Sequence, residues 1–328
     1  MQNTASIITT IIAFLISYAL TTVLGPAVIN ILKREKASQT ERELGLESHK
    51  KKNGTPTMGG FIFLIPLAFL PLFFGNDIPK TISVMVLTLG FGLIGFIDDF
   101  IKVVLHRNMG LNVPQKLIAQ FIVTGLFVFI LVRFSPEASD IFRMRIPFFK
   151  EASTDLGIFK FPALFIITLA TVNGTNFTDG VDGLCASVTA VIAAFFTGYA
   201  LIVKTGVSPV SAIFFAAMLG YLFFNVYPGR VMMGDTGSLA IGGFIVAMSY
   251  VLHLPLFIPI FGIIYAVEVI SVVLQVGYFK ATHGKRLFKM APIHHHFEKG
   301  GWSETRVVNA FTTLTIIGCA VSILALII

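Results

Sequence analysis

Charge is what this chain has least of. Only 12% of its 328 residues are charged, against 55% hydrophobic, and just 17 are Asp or Glu. Soluble domains average about 25% charged residues, so an ordinary soluble fold is excluded. Cysteine is nearly absent, and the two present, Cys185 and Cys319, suggest no disulfide framework. There is no HExxH arrangement, coiled coil, convincing internal repeat or nucleic-acid motif. The net charge of +7 therefore reads as attraction to anionic lipid heads rather than to nucleic acid.

What the chain has instead is apolar runs of about 17 to 25 residues, the length that crosses a bilayer as helix. Ten spans are expected: 7–32, 58–74, 82–97, 117–132, 161–172, 188–203, 209–226, 239–254, 256–279 and 307–328. Lipid cannot satisfy a bare backbone, and the runs are too long for barrel strands, so they are read as helices. The fifth run is short, and only Pro255 separates the eighth from the ninth. The first run lacks a small-residue cleavage site and is read as a retained span. The fold expected is an all-α polytopic membrane protein of about ten helices, a single integral-membrane domain over 1–328.

Basic residues sort unevenly about these spans. The connections after odd-numbered spans hold 17 of the 24 Lys and Arg residues. By the positive-inside rule those connections are cytoplasmic and both termini lie outside. The longest outer connection, 133–160, contains the strand-like MRIPFF and predicts a small hairpin.

The few acids are not scattered. Asp98 and Asp99 in IGFIDDF, Asp179 and Asp182 in NGTNFTDGVDG, and Asp235 in VMMGDTGS follow spans three, five and seven. All five thus fall on the cytoplasmic side. Asp98 and Asp99 repel one another unless one is protonated or a cation binds, and the nearest basic residue is Lys102. Gly174, Gly180 and Gly183 favour tight turns of the kind that accept phosphate oxygens. Thr236 or Ser238 is expected to cap span eight, which leaves Asp235 unexplained except as a metal ligand. Hard oxygen donors in this number suit Mg2+.

A last motif, APIHHHFEK at 291–299, holds His294, His295 and His296. Three consecutive side chains do not readily face one ion, so hydrogen bonding to phosphate or sugar is preferred over a soft-metal site. Glu268 and Asn225 are the deep polar candidates. Glu268 is read as a helix-kink or interhelical hydrogen-bond partner, which weighs against a secondary transporter with carboxylates at mid-span.

In this order the motifs GTPTMGG, Asp98-Asp99, NxxDxxDG, GDTGS and APIHHHFEKGGWSE resemble the polyprenyl-phosphate N-acetylhexosamine-1-phosphate transferases over the full length, and among them the branch using the muramoyl-pentapeptide nucleotide. The resemblance implies a bacterial cytoplasmic-membrane enzyme of peptidoglycan synthesis. Its substrates would be undecaprenyl phosphate and UDP-N-acetylmuramoyl-pentapeptide, its products undecaprenyl-diphospho-N-acetylmuramoyl-pentapeptide and UMP, and its cofactor Mg2+. Asp235 would hold the metal with Asp99 as second ligand, Asp98 would take or hold the lipid-phosphate proton, and Lys116 would neutralise charge. Asn176, Asp179 and Asp182 would bind the nucleotide side; Lys50, Thr55, Asn225 and the three histidines would complete substrate binding. The sibling enzyme that uses UDP-N-acetylglucosamine shares the aspartates and is the alternative. The resemblance leaves room for a homodimer.

Overall fold

The computed structural model describes residues 2–35, 54–105, 107, 110–135, 140, 142–150 and 152–328. Helices α1 (Gln2–Arg34), α2 (Phe61–Phe74), α3 (Ile78–Val103) and α4 (Val113–Phe134) come first. A two-stranded hairpin, β1 (Met144–Arg145) and β2 (Ser153–Thr154), follows. Then come α5 (Lys160–Thr178), α6 (Leu184–Val203), α7 (Ser208–Asn225), α8 (Gly234–Val251), the one-turn α9 (Ile258–Phe261), α10 (Ile263–Ala281), the short α11 (Ile293–Glu298) and α12 (Glu304–Ile327). The hairpin is antiparallel, with Met144 opposite Thr154, and lies inside the predicted outer connection.

A helix stands at each of the ten predicted spans, the ninth being the broken pair α9 and α10. Among the described residues, eight helices are by themselves long and apolar enough to cross a membrane. The remaining two are α2, of 14 residues, and α8. The reason differs for α8: residues 236–251 are all buried, so this helix meets protein rather than lipid and need not be uniformly apolar. It packs lengthwise on α3 and on α5. Phe244 of α8 stacks on Phe214 of α7, ring centroids 3.7 Å apart. The outer helices carry the opposite pattern, with Ile11, Phe121, Ile122 and Ile323 at least half exposed, as side chains facing hydrocarbon are. The protein is a multi-pass, all-α membrane protein.

Local signals fix several starts. Asp77 accepts from the Lys80 amide at 3.1 Å at the head of α3, and Asn112 and Gln115 form a reciprocal capping box at the head of α4. Both helices also carry Pro as their second residue, Pro79 and Pro114, within the first turn, where a missing N–H costs nothing.

Candidate active site

The site is built where the end of α3 meets the start of α8. Contact is close because residue 95 is glycine: a Cβ there would fall 2.0 Å from the carbonyl oxygen of Asp235. Asp99 of α3 is fully buried and reaches the N-terminus of α8. Its Oδ1 accepts from the Asp235 amide at 3.2 Å, and its Oδ2 accepts from the Thr236 amide at 2.9 Å and the Thr236 hydroxyl at 2.7 Å. A carboxylate at a helix N-terminus satisfies orphan amides and meets the positive end of the dipole. One expectation changes here: the cap of α8 is neither Thr236 nor Ser238 but a side chain 136 residues away in sequence. Asp99, expected as second metal ligand, accepts hydrogen bonds at both oxygens.

Asp98, one residue earlier, points elsewhere. Its Oδ1 accepts from the Leu111 amide at 2.9 Å, and its Oδ2 forms an ion pair with Lys102. Lys102 also reaches Asp235 Oδ2 at 3.2 Å. Lys116, in the first turn of α4, reaches the same oxygen at 3.1 Å. The other oxygen, Asp235 Oδ1, accepts from Asn176 Nδ2 at 2.8 Å, and that amide also lies 2.9 Å from Ser238 Oγ. The repulsion between Asp98 and Asp99 is thus relieved separately, by an ammonium on one and by amides on the other. Lys102 was not singled out from sequence, although its spacing of four residues from Asp98 puts both on one face of α3.

Two carboxylates, Asp98 and Asp235, and two ammoniums, Lys102 and Lys116, make up the ion-paired part of the cluster. Lys102 sits as the cation between Asp98 Oδ2 and Asp235 Oδ2. Two carboxylate oxygens thus converge on one ammonium, and a hard divalent ion held here would have to take the place of Lys102.

The remaining sequence candidates fall into three groups. Asp182 accepts from the Gly229 amide at 2.9 Å through Oδ2, and Asp179 follows the last residue of α5, so both line the connection from α5 to α6. Asn225 accepts from the Gly183 amide at 3.0 Å and donates to the Val231 carbonyl at 2.9 Å. It clamps two site loops together through backbone groups. Thr55 is half-buried beside Pro56, whose carbonyl accepts from the Met232 amide at 2.8 Å. GTPTMGG thereby lies against the strand of chain leading into α8. Lys50 lies outside the described residues.

His294 and His295 lie ring beside ring, centroids 4.0 Å apart, and their ligand atoms cluster with Glu298, whereas His296 packs against Phe288. His294 is buried and its Nδ1 lies 3.0 Å from Glu268 Oε1 of α10. His295 Nδ1 lies 2.7 Å from Glu298 Oε2. His296 Nδ1 accepts from the Lys289 amide at 3.1 Å. Glu268 is the interhelical partner it was read to be. Beyond Ser271 no residue of α10 is buried, and an open cleft of about 480 Å³ there is lined by Val276, Phe279 and Met290 together with Lys280, Arg286 and Lys299.

Comparison with known proteins settles the lineage. Residues 81–253 match the model of glycosyl transferase family 4, and residues 52–64 match phospho-N-acetylmuramoyl-pentapeptide-transferase signature 1. The chain belongs to the phospho-N-acetylmuramoyl-pentapeptide-transferase family. It is 44% identical over 319 residues to the protein of that name from Acetivibrio thermocellus, covering 96% of this chain and 95% of the relative. The Clostridioides difficile protein is 44% identical over 95% of this chain and 96% of its own. That of Caldanaerobacter subterraneus subsp. tengcongensis is 42% identical over 96% and 98%. The signature covers the GTPTMGG loop, and the family model includes Asp98, Asp99, Asn176, Asp179, Asp182 and Asp235.

Proposed function

We propose that the protein transfers phospho-N-acetylmuramoyl-pentapeptide from its UDP carrier to undecaprenyl phosphate, releasing UMP, with Mg2+, at the cytoplasmic face of a bacterial plasma membrane. The observation that carries the chemistry is Lys102 held between Asp98 and Asp235 with Lys116 alongside. Relatives named for this reaction, similar over nearly the whole chain, support the choice of substrates.

Phosphoryl transfer asks a protein mainly for positioning and charge neutralisation. Asp235 and Asp98 would hold Mg2+, whose chemistry is to draw phosphate oxygens together and offset their charge. Asp99 keeps Asp235 in register by fixing the first turn of α8, and Asn176 fixes the Asp235 carboxylate by one oxygen, leaving the other to cations. Lys102 and Lys116 move from Asp235 to the incoming phosphates as these arrive. Asp98 would keep Oδ2 for the ion and take the proton of the lipid phosphate on Oδ1, the oxygen that otherwise accepts from the Leu111 amide. Asp179 and Asp182 face the nucleotide, and the apolar and basic cleft along α10 suits an amphiphilic anion. The family likeness covers both UDP-sugar siblings at the aspartates, so the test is substrate choice. Purified protein in detergent, given undecaprenyl phosphate and Mg2+, should release UMP from UDP-N-acetylmuramoyl-pentapeptide and not from UDP-N-acetylglucosamine. Equal release from both would remove the muramoyl assignment.

A further inference from the structure

Glu268 and His294 form a closed pair that the mechanism above does not use. Both are fully buried, from two elements, α10 and α11, and meet at 3.0 Å. A carboxylate beside Nδ1 holds the ring proton on that nitrogen and fixes the ring plane. The far edge of the ring is therefore fixed as well. His294 Nε2 and Glu268 Oε2 make no hydrogen bond within the protein, which marks them as groups that need an explanation. Nε2 lies against Gly180: a Cβ at that residue would sit 2.3 Å from it. Gly180 lies between Asp179 and Asp182, in the connection assigned to the nucleotide.

We propose that Glu268 is a positioning residue that acts through His294 on the 179–182 loop and so sets affinity for the sugar nucleotide. The chain of contact is short and has no slack: carboxylate to Nδ1, ring, Nε2 to the loop backbone. This rests on the functional reading above. His295 does not share the task, since its Nδ1 is paired with Glu298. A merely structural Glu268 would lower stability and the apparent kcat through the folded fraction and leave both KM values unchanged. A positioning residue shifts one KM.

The test compares Glu268→Ala and Glu268→Gln, alone and with His294→Ala, in steady-state UMP release by the purified full chain. Glu268→Ala should raise the KM for the UDP-sugar about tenfold with the KM for undecaprenyl phosphate unchanged. Glu268→Gln, which keeps an acceptor oxygen for Nδ1–H, should restore most of it. In the His294→Ala background Glu268→Ala should add nothing. An unchanged nucleotide KM, or an additive loss in the double variant, overturns the proposal. Should Glu268→Ala fail to fold, Gly180→Ala presses on the same contact from the loop side. The same rise in nucleotide KM supports the proposal, and no rise overturns it. If the wild-type protein releases no UMP from any UDP-sugar, the functional reading fails instead. The contact is then tested by calorimetric binding of UDP, which Glu268→Ala should weaken and which an unchanged affinity would contradict.

Discussion

The Asp98–Asp235 cluster and the Glu268–His294 pair both place carboxylates beside proton-bearing groups inside a membrane protein, yet they are built differently. In the first, the partners are long ammonium side chains with a quarter to a third of their surface exposed, able to swing to another anion. In the second, the partner is a rigid ring and both groups are sealed. Mobile, partly wet charge suits a site where phosphates and a metal come and go; dry, fixed charge suits orientation. Asp99 belongs with the second kind although it adjoins the first, because amides and a hydroxyl hold its oxygens.

That division sets the size of the expected effects. Asp235→Asn should leave the fold intact and lower turnover by about a hundred- to a thousandfold, since the substituted group contacts the reacting phosphates or their metal. A folded variant with near-normal UMP release would move Asp235 out of the reaction. Asp99→Ala should act first on stability. Loss of the α8 cap should cost about 2 kcal/mol, read as a lower thermal midpoint in detergent. An unshifted midpoint with lost Mg2+ response would return Asp99 to the role of ligand. Asp98→Asn should slow turnover far more at acidic than at alkaline pH. The lipid phosphate has a second pKa of about 6, and above it the nucleophile is already dianionic and needs no base. A loss uniform across pH would instead make Asp98 purely a ligand. The smallest signal concerns sidedness: single cysteines placed next to Asp179 or Asp235 should resist labelling by an impermeant reagent from outside the cell. Ready labelling there would reverse the topology.

Most of the helices were legible because an apolar run long enough for a bilayer has few other uses. What escaped was whatever depends on partners distant in sequence. The cap of α8 comes from α3, and no local pattern announces it. Span three was ended at residue 97, whereas α3 continues to Val103 and so carries Lys102 onto the face of Asp98. Six-residue α11 is too short to show a helical period. Of the site, the residue types were legible as scarce acids at span ends. Their division of labour was not, because Asn176 read as a nucleotide-side residue and Asn225 as a deep polar candidate, and only the structure pairs one with Asp235 and the other with backbone groups.

The divalent ion is expected between Asp98 and Asp235, in the place Lys102 now fills, rather than at Asp99. Mn2+ binding to the purified protein, followed by electron paramagnetic resonance, tests it most directly. One bound ion should be seen in the wild-type protein and in folded Asp99→Asn, and it should be lost in Asp235→Asn and weakened in Asp98→Asn. Binding that survives Asp235→Asn, or that disappears only with Asp99, would contradict the account.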